Sequence, residues 1–275
     1  MSYSETVETA REYYNSNDAD RFYATVWGGE DIHIGLYQNP ADSIFDASRR
    51  TVQHIAQKLT LDANKVVLDA GAGYGGAARY LAATFGCKVD CLNLSEAQNQ
   101  RNRELNQEQK LNERIRVVDG SFENIPAVDQ SYDIVWSQDA FLHSGKRDQV
   151  IAETARVLKP GGELVFTDPM QSDDCPVGVL EPVLQRIHLE TMGSPAFYIE
   201  CAAQNGLQLI ALEDLSHQLV HHYSSVLAQL EQRQAEITKQ VSAEYVHNMQ
   251  QGLRHWITAG QQNHLAWGIF HFRKT

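Results

Sequence analysis

A short apolar run followed by a glycine-rich turn is the feature that most constrains what this chain can fold into. The apolar residues at 66–68 lead into Asp69, and three glycines follow, at Gly71, Gly73 and Gly76. Glycine lets a backbone approach a ligand closely, and the free N–H groups at the start of the next helix face that ligand. The pattern predicts a strand, a turn and a helix that together bind a nucleotide-like molecule.

The acid at the end of the apolar run distinguishes two classes of ligand. The glycine spacing, G-x-G-x-x-G, also marks dinucleotide enzymes, but a carboxylate at Asp69 would face the pyrophosphate and repel it. The dinucleotide signature further expects an acid about 20 residues beyond the glycines, where this chain has Asn93. The same carboxylate suits an ammonium group, such as that of the methionine part of S-adenosylmethionine. We therefore expect a methyl donor rather than a nicotinamide.

Composition and charge argue against several other classes of protein. The chain has 275 residues, of which 43% are hydrophobic, so it can bury a full core in one large domain. Its net charge of −12 argues against binding to nucleic acid or to an anionic membrane. No apolar stretch reaches the about 18 residues of a membrane-spanning helix, and the polar, acidic start does not resemble a signal peptide. The four cysteines form no C-x-x-C pair, so we expect reduced core thiols and a cytoplasmic protein.

Strand-like runs alternate with helix-like stretches along most of the chain. Strands are expected near 65–70, 88–94, 114–119, 132–137, 162–168, 207–212 and 266–272. Helices are expected near 5–24 (with a polar break at 15–18), 43–59, 75–85, 95–110, 145–158, 178–189, 195–204 and 217–259. This alternation is typical of βαβ units with right-handed crossovers. We predict an α/β fold, with a doubly wound, seven-stranded, mostly parallel sheet of Rossmann-like type and a helical insertion.

The predicted elements form a single domain over 1–275 with distinct segments. These are an N-terminal helical and substrate-loop segment at 1–60, a cofactor-binding core at 61–170, substrate-side helical insertions at 171–264 around the strand at 207–212, and the last strand at 265–275. Ligands of such sheets bind beyond the carboxyl ends of the strands. We therefore expect the insertion at 213–262 to form a lid over the substrate.

Motifs along the predicted carboxyl edge resemble one family of enzymes. The stretches 68–73, 119–126, 132–136 and 156–162 resemble the class I S-adenosylmethionine-dependent methyltransferases. A narrower match extends over nearly the whole chain. The stretches 27–37, 137–144, 167–170 and 217–223 resemble the sarcosine/dimethylglycine N-methyltransferases of betaine synthesis. The resemblance implies S-adenosylmethionine as cofactor and a small-molecule amine as substrate, with dimethylglycine, and also sarcosine, converted to glycine betaine. We expect a monomer or homodimer.

The resemblance implies a set of cofactor-binding residues at the carboxyl edge. They are Asp69, Gly71, Gly73, Asn93, Leu94, Gln98, Gly120, Ser121, Phe122 and Ser137. Gly71 and Gly73 would accommodate the methionine part. Asn93 and Gln98 would lie near the ribose, and Ser121 and Phe122 near the adenine. Many members of the wider superfamily have an acid where Asn93 stands, but an amide also donates and accepts hydrogen bonds.

The chemistry requires an unprotonated amine that attacks a sulfonium methyl group in line. By resemblance to the phosphoethanolamine methyltransferases, His143 is the expected base, with a structural role as the alternative. Asp139 lies four residues before it and is expected to raise the pKa of His143. With a raised pKa, His143 could instead bind the substrate carboxylate as an imidazolium. Tyr37 is the second expected catalytic residue, since aromatic faces favour a quaternary ammonium product.

The expected substrate-binding residues are Trp27, Gln138, Pro169, Met170 and Arg186. A substrate carboxylate needs an arginine or paired donors, which Arg186 and Gln138 could supply. A solvated position on a helix face is the alternative for Arg186. Pro169 and Met170 would shape the wall.

A metal site and two other functions are the remaining alternatives. His217, His221 and His222 could share one helix face, but no acid or cysteine completes a ligand set, so we expect no metal. The chain could methylate another small amine, such as phosphoethanolamine. It could also be a non-catalytic S-adenosylmethionine-binding regulator.

Overall fold

The computed structural model describes residues 5–15, 18, 22, 25–27 and 29–275. Within this part of the chain, seven strands form one sheet. The strands are β1 (Val66–Ala70), β2 (Lys88–Asn93), β3 (Ile115–Asp119), β4 (Tyr132–Gln138), β5 (Leu158–Gln171), β6 (Leu207–Asp214) and β7 (Leu265–Lys274). Their order is β3-β2-β1-β4-β5-β7-β6, and β7 runs antiparallel to both of its neighbours. The predicted fold class is confirmed.

Helices cover both faces of the sheet. They are α1 (Glu5–Asn15), α2 (Ile44–Ala56), α3 (Gly76–Phe85), α4 (Glu96–Glu108), α5 (Arg147–Val157), α6 (Glu181–Arg186), α7 (Pro195–Gln204), α8 (Ser216–Gln232), α9 (Gln234–Ile237) and α10 (Ala243–Gln261), with a 3-10 helix at Phe141–His143. The predicted polar break at Ser16 and Asn17, most of the helix expected beyond it, and Gly28 of the expected substrate loop lie outside the described residues.

The chain direction places the functional edge of the sheet. The strand order reverses between β1 and β4, and in such sheets ligands bind in the crevice beyond the carboxyl ends at this point. Helices α3 and α4 both begin at this edge, and the Ser95 side chain caps α4 by accepting from the Gln98 N–H. The edge therefore carries free helix N–H groups and the residues that follow four parallel strands.

The segment between β6 and β7 forms a second helical layer beside this edge. The segment predicted to be helical at 217–259 consists of three helices, because the chain turns at Arg233 and again at 238–242. Tyr223 of α8 and Trp256 of α10 lie 5.0 Å apart between ring centroids, in one apolar cluster with Trp27. In the described part of the chain, every helix is too short or too polar to span a bilayer.

Candidate active site

Two cavities lie at the carboxyl edge of the sheet and meet each other. The first lies against the glycine turn and the ends of β2, β3 and β4, and we call it the cofactor cleft. The second lies under α6, α8 and α10, and we call it the substrate cavity. Ile32, Asp139 and His143 line both. A group bound in one cavity therefore faces a group bound in the other across these three residues.

The glycine turn forms the floor of the cofactor cleft. Gly71 has φ +83° and Gly73 has φ +52°, a backbone region that residues other than glycine rarely adopt. A Cβ atom at Gly71 would lie 2.4 Å from the Cβ of Ala140 and 3.6 Å from Phe122. Both of these neighbours line the cleft, so a side chain at Gly71 would displace its lining.

An amide pair forms the polar end of the cofactor cleft. Asn93 Nδ2 donates to Gln98 Oε1 at 3.0 Å. Gln98 is 2% exposed, and its Nε2 has no hydrogen-bond partner among the described residues. Buried amide N–H groups require an acceptor, and a ribose hydroxyl of a bound nucleoside supplies one. Leu94 and Gly120 line the same cleft.

Three predicted cofactor residues do not line the cleft. Asp69 lies behind the glycine turn, where burial and then the charge of Asp31 raise its pKa to about 7 against the opposing charge of Arg79. Ser137 donates its hydroxyl to the carbonyl of Ala70 at 2.7 Å and so ties β4 to β1. Ser121 accepts a hydrogen bond from the Glu123 N–H in the turn after β3. Their contacts support the cleft from behind, and their role toward the cofactor stays a prediction.

The walls of the substrate cavity include three large aromatic rings. Trp27, Tyr223 and Trp256 line it, together with Pro169. Trp256 is 1% exposed, and its indole N–H has no acceptor among the described residues. Such walls attract a quaternary ammonium group by cation–π interaction, while the indole N–H suits an anion.

Asp139 is the acidic group at the junction of the two cavities. One carboxylate oxygen accepts from the Ile34 N–H at 2.7 Å. The other accepts from the Thr167 hydroxyl at 2.7 Å and the Trp267 indole N–H at 2.8 Å. Burial raises the pKa of Asp139, and the charge of His33 and these donors oppose that rise. Three donors hold the carboxylate in place where the two cavities meet, and the backbone of Asp139 has φ +50°.

His143 lies at the same junction, at the end of the 3-10 helix. A hydrogen bond from the Leu142 N–H to the carboxylate of Asp168, at 3.0 Å, holds this turn in place. Burial, followed by the positive charges of Arg186 and Arg147, lowers the pKa of His143 to about 4. The prediction that Asp139 would raise this pKa is therefore wrong, because burial disfavours the charged ring and the charges of Arg186 and Arg147 add to that effect.

Arg186 reaches the substrate cavity from the end of α6. It crosses α10 at Gly252, where a Cβ atom would lie 2.0 Å from the Arg186 Cδ. Only a glycine at that position leaves room for the side chain. Arg186 is half-buried and lines the cavity, which differs from the alternative of a solvated helix face.

Three other predicted residues lie in unexpected places. Gln138 lines the cofactor cleft rather than the substrate cavity, and its Oε1 accepts from the Trp136 indole N–H at 3.0 Å. Tyr37 and Met170 do not appear in the lining of either cavity. The Tyr37 hydroxyl lies 3.1 Å from Nδ1 of the buried His222, and burial raises the pKa of Tyr37. Tyr37 therefore lies outside the lining of both cavities.

His33 was not selected from the sequence, although the loop that carries it was. It lies between Trp27 and Ile34 in the substrate cavity, and its side chain is buried. The loop is held because the Trp27 indole N–H and the Ser48 hydroxyl both donate to the His33 carbonyl, at 3.3 and 3.0 Å. A histidine in a loop without regular period gives little local signal, and only its density of glycine and aromatic residues marked the loop.

Comparison with known proteins agrees with this arrangement. The family model for a methyltransferase domain matches residues 68–166. The chain is 54% identical to the sarcosine/dimethylglycine N-methyltransferase of Halorhodospira halochloris, over 98% of this chain and 97% of that protein. It is 53% identical to the enzyme of the same name from Aphanothece halophytica, over 98% and 97%. The chain belongs to the sarcosine/dimethylglycine N-methyltransferase family.

A solved structure shares the fold of this family member. It is a methyltransferase from Galdieria sulphuraria assigned to the sarcosine dimethylglycine class, with a TM-score of 0.91 and 47% identity, covering 96% of this chain and 99% of that one. The chain is thus a class I methyltransferase, and its methyl donor is S-adenosylmethionine. The cleft fits this donor through the glycine turn and the unsatisfied Gln98 amide. The described residues contain no group of three or more metal-ligating side chains, and His221 stacks on Tyr37 instead, at 4.3 Å between ring centroids.

Proposed function

We propose that this protein methylates dimethylglycine, and also sarcosine, on nitrogen to give glycine betaine. The observation that carries the proposal is the polarity of the substrate cavity. Hydrogen-bond acceptors lie where it meets the cofactor cleft, and a cation and an N–H donor line the rest of it. An amino acid with a methylated amine at one end and a carboxylate at the other matches this arrangement. The names of the relatives at 54% and 53% identity support the same substrates.

The carboxylate end is assigned to Arg186 and Trp256. Both line the substrate cavity and not the cofactor cleft, so a carboxylate bound there directs the amine toward the junction. The guanidinium supplies charge and paired donors, and the indole supplies a buried N–H. Fixing this end restricts the amine to a small set of positions, which is the main contribution that a protein makes to an in-line transfer.

The amine end is assigned to Asp139, His143 and the aromatic walls. S-adenosylmethionine, when bound, supplies a methyl group on a positively charged sulfur. The carboxylate of Asp139 stabilises positive charge at the junction, both on the incoming amine and on the quaternary product. His143 stays neutral at neutral pH, so it adds a hydrogen-bonding group without adding a repelling charge. Trp27 and Tyr223 favour the methylated ammonium through their ring faces.

The location and state of the protein belong to the same proposal. The four cysteines are free and three of them are buried, which supports a reducing compartment such as the cytoplasm. The net charge of −12 supports a small-molecule partner rather than nucleic acid. A monomer or homodimer stays the expected assembly.

Product analysis tests the proposed function directly. The protein is incubated with S-adenosylmethionine and, in separate reactions, glycine, sarcosine, dimethylglycine or phosphoethanolamine, and the products are identified by mass spectrometry. We expect betaine from dimethylglycine, and dimethylglycine followed by betaine from sarcosine. Methylation of phosphoethanolamine alone would replace the proposed substrate, and binding of the methyl donor without turnover of any amine would indicate a regulator.

A further inference from the structure

An imidazole nitrogen in the substrate cavity lacks a partner in the described part of the chain. His33 is 6% exposed, and its Nε2 atom is buried without a hydrogen bond there. Buried polar atoms are rarely left unsatisfied in folded proteins, and an exception requires an explanation. Because His33 lines the substrate cavity, a bound substrate is the group that can satisfy this nitrogen.

The other ring nitrogen determines what Nε2 can bind. Nδ1 lies 3.2 Å from the carbonyl oxygen of Ile34, which can only accept, so Nδ1 carries the hydrogen in the neutral ring. Nε2 therefore presents a lone pair to a donor. The buried His222 is arranged in the opposite way, because its Nδ1 accepts from the Gly35 N–H at 3.1 Å. Of these two buried imidazoles, His33 is the one with its free nitrogen set to accept a proton.

The surroundings of His33 differ from those of His143. Burial and then the charges of two arginines lower the pKa of His143, which makes it a poor acceptor for an ammonium proton. His33 instead lies beside the carboxylate of Asp139. The other titratable or charged groups that face it are His222 on α8 and, around the cavity, His143, His188 and Arg186.

We propose that His33 is the catalytic base that takes the proton from the substrate amine. The proposal rests on the proposed N-methylation and names the residue that prepares its nucleophile. The N–H bond of the bound ammonium breaks, the proton moves to Nε2, and the electron pair stays on the amine nitrogen. That pair forms the new N–C bond as the S–C bond breaks and its electrons remain on sulfur. His33 releases its proton to solvent before the transfer, so the Nε2 lone pair is free again while the methyl group moves. The product cation is a quaternary ammonium from dimethylglycine and a tertiary ammonium from sarcosine.

The two substrates depend on His33 in different ways. Dimethylglycine carries a single N–H, and after its loss the lone pair must turn to the methyl donor, so no hydrogen bond to His33 survives during transfer. Sarcosine loses one proton and keeps a second N–H, which continues to donate to Nε2 while the lone pair attacks. His33 is therefore a base for both substrates, and for sarcosine it also orients the amine.

Kinetics across pH separate these roles. In His33→Ala and His33→Gln we expect kcat/KM for dimethylglycine to fall about 10²- to 10⁴-fold near neutral pH. We expect recovery as pH rises, because the free amine then forms without the enzyme. With sarcosine, His33→Ala should keep a deficit of about 2- to 10-fold at high pH, the worth of one hydrogen bond. His33→Gln should remove that deficit, because its amide oxygen accepts the N–H. The exposed His247→Gln on α10 serves as the matched control.

Spectroscopy of the unaltered protein supplies a test that needs no turnover and no variant. The ¹⁵N resonance of His33 Nε2 is followed in the complex with S-adenosylhomocysteine while dimethylglycine or betaine is added. The two ligands differ at nitrogen in the one transferable proton. We expect dimethylglycine to move the Nε2 resonance toward its protonated position and betaine to leave it unchanged.

Failure of this inference and failure of the proposed function give different results. If the unaltered protein makes no betaine from dimethylglycine, the proposed function is wrong. If it makes betaine but the variants lose activity equally for both substrates at every pH, His33 is a positioning residue and the base assignment is overturned. Equal ¹⁵N shifts with dimethylglycine and betaine would overturn it as well.

Discussion

Alanine at Gly71 should reduce binding of the methyl donor much more than it reduces stability. The residue has φ +83°, and a side chain in this left-handed region costs roughly 1–2 kcal/mol. The added Cβ would also lie 2.4 Å from the Cβ of Ala140, where carbon atoms prefer about 3.5–4.0 Å. Overpacking of this kind costs about 1–3 kcal/mol.

The second cost falls on the cofactor cleft. The loop of Ala140 also carries Asp139 and His143, and all three line the cleft, so the clash is relieved only by displacing that lining. A loss of about 3 kcal/mol in binding corresponds to an affinity reduced roughly 100-fold. The effect should be smaller in Gly73→Ala, because the Cβ at Gly73 lies 3.2 Å from the flexible end of Ile32. Valine at Gly71 or Gly73 should abolish binding while the core stays folded.

Gly161→Ala is the matched control for backbone strain. Gly161 has φ +74°, but a Cβ atom there meets nothing within 4 Å, and the residue is distant in sequence from the glycine turn. Calorimetric titration with S-adenosylhomocysteine and chemical denaturation are measured for each variant. We expect similar losses of unfolding free energy in Gly71→Ala and Gly161→Ala, with reduced affinity only in the former. Unchanged affinity in Gly71→Ala, or equal affinity losses in both variants, would refute the assignment of the cleft.

Three further predictions follow from the cavity walls. Gly252→Ala should displace Arg186 and raise KM for dimethylglycine about 10-fold, with unchanged affinity for S-adenosylhomocysteine. The added Cβ of Gly260→Ala, on the same helix, meets Val220 instead, so steady-state assays should show an unaltered KM. Because the pKa of His143 is lowered in the folded protein, the unfolded chain binds the His143 proton first as pH falls. The free energy of unfolding should therefore decrease by up to roughly 3 kcal/mol as pH drops from 6.5 toward 4. Denaturation of His143→Gln should show a smaller decrease over the same range. Hydrogen exchange should show new protection at 213–262 when S-adenosylhomocysteine and substrate bind, and exchange that ignores the ligands would contradict a lid.

The sequence alone determined the fold and the class of cofactor. Strands and helices were predictable because alternating apolar runs and capping residues act over a few neighbours, and their order fixes a parallel sheet with one ligand edge. The segment at 217–259 is helical as predicted, and the tertiary structure adds the turns that divide it into three helices. The glycine turn was recognisable for the same local reason, since its conformation depends on the residues at 71–76 themselves.

The tertiary structure decided how the candidate site is assembled. His33, Asp139 and Arg186 are far apart in the chain. Only folding places this base, this acid and this cation around one cavity. The pKa of His143 could not be predicted from its acidic neighbour, because it is lowered first by burial and then by the charges of Arg186 and Arg147, and the fold determines both effects. The sequence likewise did not predict that Gln138 lines the cofactor cleft rather than the substrate cavity, because this depends on the tertiary structure. Local sequence determines secondary structure. The pKa values and hydrogen bonds of the site depend instead on charges and polar groups that the tertiary structure places close together.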